Sequence, residues 1–269
     1  MARRPTLPNF VVVGAAGCAT RWLRFHLNRH PDVFVPPHAV DFFADGAPPF
    51  EGPPFGDGRR TPSGGVRWYR HQFLVPEGVP CVGDASPSYL AGISHPPTVA
   101  ARIEQVLPEV RVVAMVRQPV ARMHAVMLDQ ARRGNLPPDP DLYTLVSGQD
   151  PLVTELDLVA GGLYAQNLNP FRERFGDRLL VVLHDDVVTD PTGVYRRVLG
   201  HIGADPDVAI DGLERVVFDD PGVIAPGPFT EAQARQLFSL FRGDVEELEV
   251  QLDRDLSAWD PGPPDHEER

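Results

Sequence analysis

Three short runs of β-branched and apolar residues constrain this chain more than anything else in it: NFVVVG at 9–14, RVVAMV at 111–116 and LLVVL at 179–183. Each is too short for a self-sufficient helix and too uniformly apolar for a half-exposed strand. Each therefore reads as a strand covered on both faces. Residues 32–37 and 81–84 read as further short extended pieces. Helical spacing lies between them. From Thr20 the positions of Trp22, Leu23, Phe25, His26 and Leu27 describe an amphipathic face that runs up to His30-Pro31. Further helices are expected over 65–73, 98–106, from Pro119 to about Arg133, mainly through 152–175, over 191–202, and over 229–252 with a break near Gly243. Strands alternating with helices predict an α/β fold, three layers deep, with a central parallel sheet.

With 269 residues, 42% of them hydrophobic and 23% charged, the chain has enough material for one large domain. The reading is a single domain over 1–269, frayed at 1–8 and 261–269. Segments 44–65 and 135–140, rich in proline and glycine, read as loops. No apolar run reaches eighteen residues, and the apolar stretch after the basic start leads into a glycine turn, not a cleavage site, so a cytoplasmic protein without signal peptide is expected. The net charge of -12 argues against nucleic acid or an anionic membrane as partner. Cys18 and Cys81 cannot make a disulfide framework, and no Cys/His spacing predicts a metal site. Lysine does not occur in the sequence; every cation other than histidine is arginine.

The candidate site lies where the first strand meets the first helix. A helix N-terminus offers unpaired backbone N–H groups and a partial positive charge, which suits a phosphate or sulfate. Gly17, Cys18, Ala19, Thr20, Arg21 and Trp22 occupy that place. Thr20 can add a hydroxyl and cap the helix. Arg117 directly follows a buried strand, at the edge where α/β sheets place ligands, and its guanidinium fork matches an oxyanion. A small-residue turn and a surface arginine are the plain readings of the same residues. Cys18 lies where a thiolate would be favoured, but no base stands near it in sequence. His124 reads as structural.

The stretch VVVGAAGCATRWLRFHLNRHPDVFVPP followed by DFF resembles the opening of sulfotransferases that use 3'-phosphoadenosine 5'-phosphosulfate (PAPS). VGDASPSYL is similar to that family's "GE-x-SP-x-Y" segment, and LPEVRVVAMVRQPVARMHA to its strand followed by "R-x-P-x-x-R-x-x-S". GLYAQNLNPFRERFGDRLLVVLHDDVVTDP and RDLSAW match later segments, so the resemblance runs collinearly from about Phe10 to Trp259. It implies the P-loop sulfotransferase fold, PAPS as donor without a metal, and Arg117 on the 3'-phosphate.

The same resemblance marks departures. Gly17 falls where the family carries a lysine that neutralises the leaving group, Ala19 where it has glycine, and Arg21 where it has a second threonine. Ala125 replaces a serine at the 3'-phosphate, Ala39 a glutamate base, and Asp84-Ala85 the acid and lysine that precede "SP" in some members. Loss of the loop cation should raise the barrier by a few kcal/mol unless Arg21 replaces it. His38, Asp41 and His71 are the candidate bases for an acceptor hydroxyl. The leading expectation is sulfuryl transfer to a small-molecule hydroxyl, as in bacterial secondary metabolism, with the acceptor entering near Trp68, Tyr69 and Phe73. The alternatives are a relative that has lost PAPS and performs cyclisation, elimination or hydrolysis on a natural product, and a binding protein without turnover. A kinase is disfavoured because the loop lacks G-x-x-x-x-G-K-[ST].

Overall fold

The computed structural model describes residues 3–44, 64–136, 141–214 and 229–262. Five parallel strands form the central sheet: β2 (Phe10–Gly14), β3 (Val33–Phe34), β5 (Cys81–Ala85), β6 (Arg111–Val116) and β7 (Leu179–Leu183), in the order β3-β5-β2-β6-β7. The register pairs Val11 with Asp84 on one side and with Val112 on the other, and Val112 in turn with Leu179. Every residue of β2 and β5 is buried. That is why their sequences show no alternation: helices flank the sheet and neither face meets water.

Local chemistry sets the helix starts. α1 (Thr20–Leu27) begins straight after the loop that leaves β2. α2 spans Gly65–His71, and α3 spans Pro96–Val106. α4 (Pro119–Arg132) opens on a proline, with the Gln118 side chain accepting the Ala121 N–H at 2.6 Å. α5 (Leu142–Ser147), α6 (Pro151–Glu155) and α7 (Tyr164–Phe175) follow, then α8 (His184–Thr189) directly after β7. α9 (Pro191–Ile202) is capped by Asp190 on the Gly193 N–H, and α10 (Glu231–Phe238) and α11 (Arg242–Leu252) close the described chain.

Two expectations are corrected. Residues 3–5 are not frayed: they form β1 (Arg3–Pro5), paired antiparallel with β4 (Leu74–Pro76) in a separate two-stranded sheet. The first helix stops at Leu27, three residues before His30. The region 152–175 is mainly helical, as expected, with a break between α6 and α7. A Cβ at Gly161 would lie 2.1 Å from Asp157 Oδ2 and 2.2 Å from Arg122 Nη2, so this stretch packs tight against a buried ion pair. The expected break in the last helical region is present, at Ser239–Phe241, just before Gly243. Most of the loop at 44–65, residues 137–140 of that at 135–140 and the last seven residues lie outside the described residues.

Candidate functional site

The loop from β2 to α1 is shaped by backbone conformation. Gly17 has φ 82° and Ala19 φ 65°, both left-handed. At Gly17 a side chain would meet the Arg122 carbonyl oxygen at 3.0 Å and Val126 at 3.2 Å. Ala19 is the cap position of α1, and no side chain caps the helix, so Thr20 does not fill that role. The one backbone bond inside the loop runs from the Cys18 N–H to the Ala15 carbonyl. Among the described residues, the N–H groups of Gly17, Ala19, Thr20, Arg21 and Trp22 meet no protein acceptor. These amides open beside a cleft of about 690 Å³ at the carboxyl end of the sheet, lined by Ala16, Gly17, Ala19 and Thr20. A nest of free amides at a helix start is an anion site by its own dipoles.

Buried groups hold the loop from behind. Arg122, 2% exposed, donates to the carbonyls of Asp157 and Leu158 at 2.9 and 3.0 Å and pairs with the Asp157 carboxylate at 3.6 Å. The Tyr164 hydroxyl accepts the Arg117 N–H at 3.4 Å and lies 3.6 Å from the Cys18 thiol. Burial pushes that thiol's pKa up, against the thiolate expected at a helix start. Cys18 is a packing residue.

Four arginines line the cleft: Arg21 and Arg24 from α1, Arg117 after β6, and Arg133 at the end of α4. Among the described residues two carboxylates, Asp41 and Asp129, oppose them. Arg117 is 8% exposed and its Nη1 donates to the Gly17 carbonyl at 3.4 Å, so its guanidinium reaches the loop. Arg21 turns across the cleft mouth onto Asp129, and Arg133 reaches the other oxygen of the same carboxylate at 2.8 Å. Arg24 lines the cleft one turn on from Thr20, its pKa lowered by burial and by Arg21.

The opposite wall hangs on a buried carboxylate. Asp84, fully buried at the end of β5, accepts from Tyr69 at 2.9 Å, Tyr89 at 2.7 Å and Ser86 at 2.6 Å. Ser86 Oγ in turn accepts the N–H groups of Val40 and Asp41, each at 3.0 Å. The Asp41 carboxylate also takes the Ser88 hydroxyl at 2.5 Å. This chain of bonds fixes the segment carrying His38, Ala39 and Asp41 along the cleft. Burial raises the Asp84 pKa to about 6, with the three hydroxyl donors pulling the other way.

Known structures share this arrangement of elements. A sulfotransferase from Alicyclobacillus acidocaldarius superposes with a TM-score of 0.74 at 27% identity, over 94% of this chain and 98% of that one. The chain has the sulfotransferase fold. The sulfotransferase domain of the Synechococcus PCC 7002 olefin synthase matches at TM-score 0.53 and 18% identity, over 93% and 97% of the two chains. The sulfotransferase domain of the curacin biosynthetic pathway matches at 0.54 and 14%, over 93% and 99%. No protein-family model matches the sequence, and no curated protein does.

Within this sulfotransferase fold, Gly17, Ala19, Thr20, Arg21, His38, Asp41 and Arg117 gather around one cleft. Others stand apart. The Trp22 ring is fully buried and its indole N–H donates to the Leu213 carbonyl at 3.0 Å, so only its backbone faces the loop. His71 is exposed on α2 with Nδ1 2.7 Å from the Arg67 carbonyl, and it does not line the cleft. Tyr69 and Phe73 do not line it either: both are fully buried, Tyr69 stacked on Phe42 at 4.5 Å and edge-on to Phe73 at 5.0 Å. His124 packs edge-on to Phe229 at 6.1 Å. The cleft residues that the sequence did not single out include Arg24, Asp129, Arg133 and His184. His184 had a signal, since it directly follows the apolar strand β7, at the ligand-binding edge of the sheet.

Proposed function

We propose that this chain transfers a sulfuryl group from PAPS to a hydroxyl of a small-molecule acceptor. The observation that carries the reading is the set of unpartnered amides of Gly17, Ala19, Thr20, Arg21 and Trp22 among the described residues, beside an arginine-lined cleft. The cleft volume of about 690 Å³ falls within the range of nucleotide-sized pockets. The donor, when bound, supplies the activated sulfuryl group. The protein's part is to hold anions and to move one proton.

In this reading the loop amides hold the phosphosulfate and Arg117 the 3'-phosphate, where Ala125 offers no hydroxyl. Arg21 and Arg24 supply the positive charge that a loop lysine would bring, and no lysine is available anywhere in the chain. His38 and Asp41 stand on the opposite wall and are placed to take the acceptor's proton, Asp41 being anchored by Ser88. Calorimetry with adenosine 3',5'-bisphosphate tests the donor assignment. Binding that weakens at least about tenfold in Arg117→Ala supports it; no heat at millimolar nucleotide removes it. Transfer of radiolabelled sulfate to phenolic or aliphatic alcohols then tests turnover, and binding without transfer would favour the relative that has lost sulfuryl chemistry.

A further inference from the structure

His26 is fully buried on α1, and neither of its ring nitrogens meets a hydrogen-bonding partner among the described residues. Buried polar groups are as a rule bonded, because a dry, unpaired one is costly. Three aromatic rings surround this imidazole, with centroids at 5.0 Å for Phe25, 5.3 Å for Trp22 and 6.4 Å for Tyr195 of α9. The Tyr195 hydroxyl donates instead to the His26 backbone carbonyl, at 3.1 Å. The segment 203–214, which follows α9, is tied across the same side of α1 and the turn after it. The Trp22 indole N–H donates to the Leu213 carbonyl at 3.0 Å, and Arg29 donates to the Asp211 carbonyl. His30 Nε2 donates to the Asp205 carbonyl at 3.0 Å while its Nδ1 accepts the Asp32 N–H at 3.1 Å. Three side chains thus hold three carbonyls of one segment, and His26 stands in the same row, at helical spacing from Trp22 and Arg29. The charged and titratable groups that act on its ring are Arg29, Glu214 at the end of the segment, and Tyr195, with His30 beyond them.

We propose that residues 203–214 are a strap that acid releases from α1, and that protonation of His26 is the event that releases it. An imidazolium under the closed strap has two N–H groups and no acceptor for either; with the strap lifted the ring reaches water. Burial, and then the Arg29 guanidinium, hold the imidazole below its ordinary 6.5, with Glu214 pulling the other way. The sign follows from that direction. The closed strap binds fewer protons than the open one, so the ring's contribution to closure is fully present above pH 6.5 and is lost as pH falls below it. Because α1 begins at the loop amides, release loosens the helix that presents them. The inference requires no particular ligand in the cleft.

Hydrogen exchange of the Trp22 indole N–H reads the strap directly, since that proton is held by Leu213; the Trp259 indole N–H, donated to Asp185, is the reference. After correction for the intrinsic pH dependence of exchange, protection at Trp22 should fall about tenfold in the parent between pH 7.5 and 5.5, as expected for one proton taken up by a group of ordinary pKa. Trp259 and the amides of β6 should keep their protection over the same range. In His26→Leu, and in His26→Phe, which retains an aromatic ring without a titratable nitrogen, the fall should vanish; either variant suffices if the other does not fold. A fall of equal size in the variants passes the effect to His30 or another group and overturns the proposal. So does a fall shared with the β6 amides, which reports unfolding of the whole domain, and so does an unchanged Trp22 in the parent.

Discussion

Ala19 sits at φ 65°, where a Cβ costs about 1–2 kcal/mol. Glycine there would relieve that strain but return about 0.4–1 kcal/mol of freedom to the unfolded chain. Ala19→Gly is therefore expected to leave stability unchanged or raise it by up to about 1.6 kcal/mol, read from urea denaturation. Gly17 has the opposite sign. Its φ of 82° and the Arg122 carbonyl 3.0 Å from any Cβ mean that Gly17→Ala should cost about 2 kcal/mol. The same geometry explains why the position does not simply await a lysine. Gly17→Lys should lower the denaturation midpoint and bring no gain in sulfuryl transfer; a more active, equally stable variant would contradict this account of the loop.

The element that fixes the far wall is the end of β5, and its carboxylate makes that wall pH-sensitive. Burial lifts Asp84 from 3.8 to about 6, so the folded state takes up the proton more readily than the unfolded one. The group's contribution is thus fully present below pH 3.8 and is lost as pH rises through about 6, a change on the order of 3 kcal/mol. Measured against Asp84→Asn, the parent should lose stability by roughly that amount between pH 4 and 7; a constant difference across the range would refute it. Ser86→Ala should cost about 2–4 kcal/mol, since it strands the N–H groups of Val40 and Asp41. It should also raise the acceptor KM more than it lowers kcat. The strands behind this wall were readable because β-branched runs buried on both faces leave a plain mark in sequence. β1 and β4, at three residues each, leave none, and the break before α7 depends on Gly161 pressing against Arg122 and Asp157, a long-range contact. The loop residues of the site were legible from order alone. Arg24, Arg133 and the burial of Tyr69 were not, because which helix face meets the cleft is decided by how α1, α2 and α4 pack.

At the scale of the whole molecule, two fields oppose each other. The chain carries -12, yet among the described residues its cleft collects four arginines against two aspartates. A polyanionic nucleotide approaching from solvent first meets the global negative potential, and the local positive one only within a few ångströms of the mouth. Screening reaches about 10 Å at 0.1 M salt and about 30 Å at 0.01 M, so dilution of salt extends the repulsion much further than the attraction. Association of adenosine 3',5'-bisphosphate should accordingly slow several-fold as ionic strength falls from about 0.15 to 0.01 M. Dissociation should slow as well, because the contacts inside the cleft strengthen without screening. A protein steered by its cleft alone would show the reverse, with association accelerating at low salt. Stopped-flow mixing at the two salt concentrations separates them, and acceleration on dilution would mean that the arginines govern the field well beyond the cleft mouth.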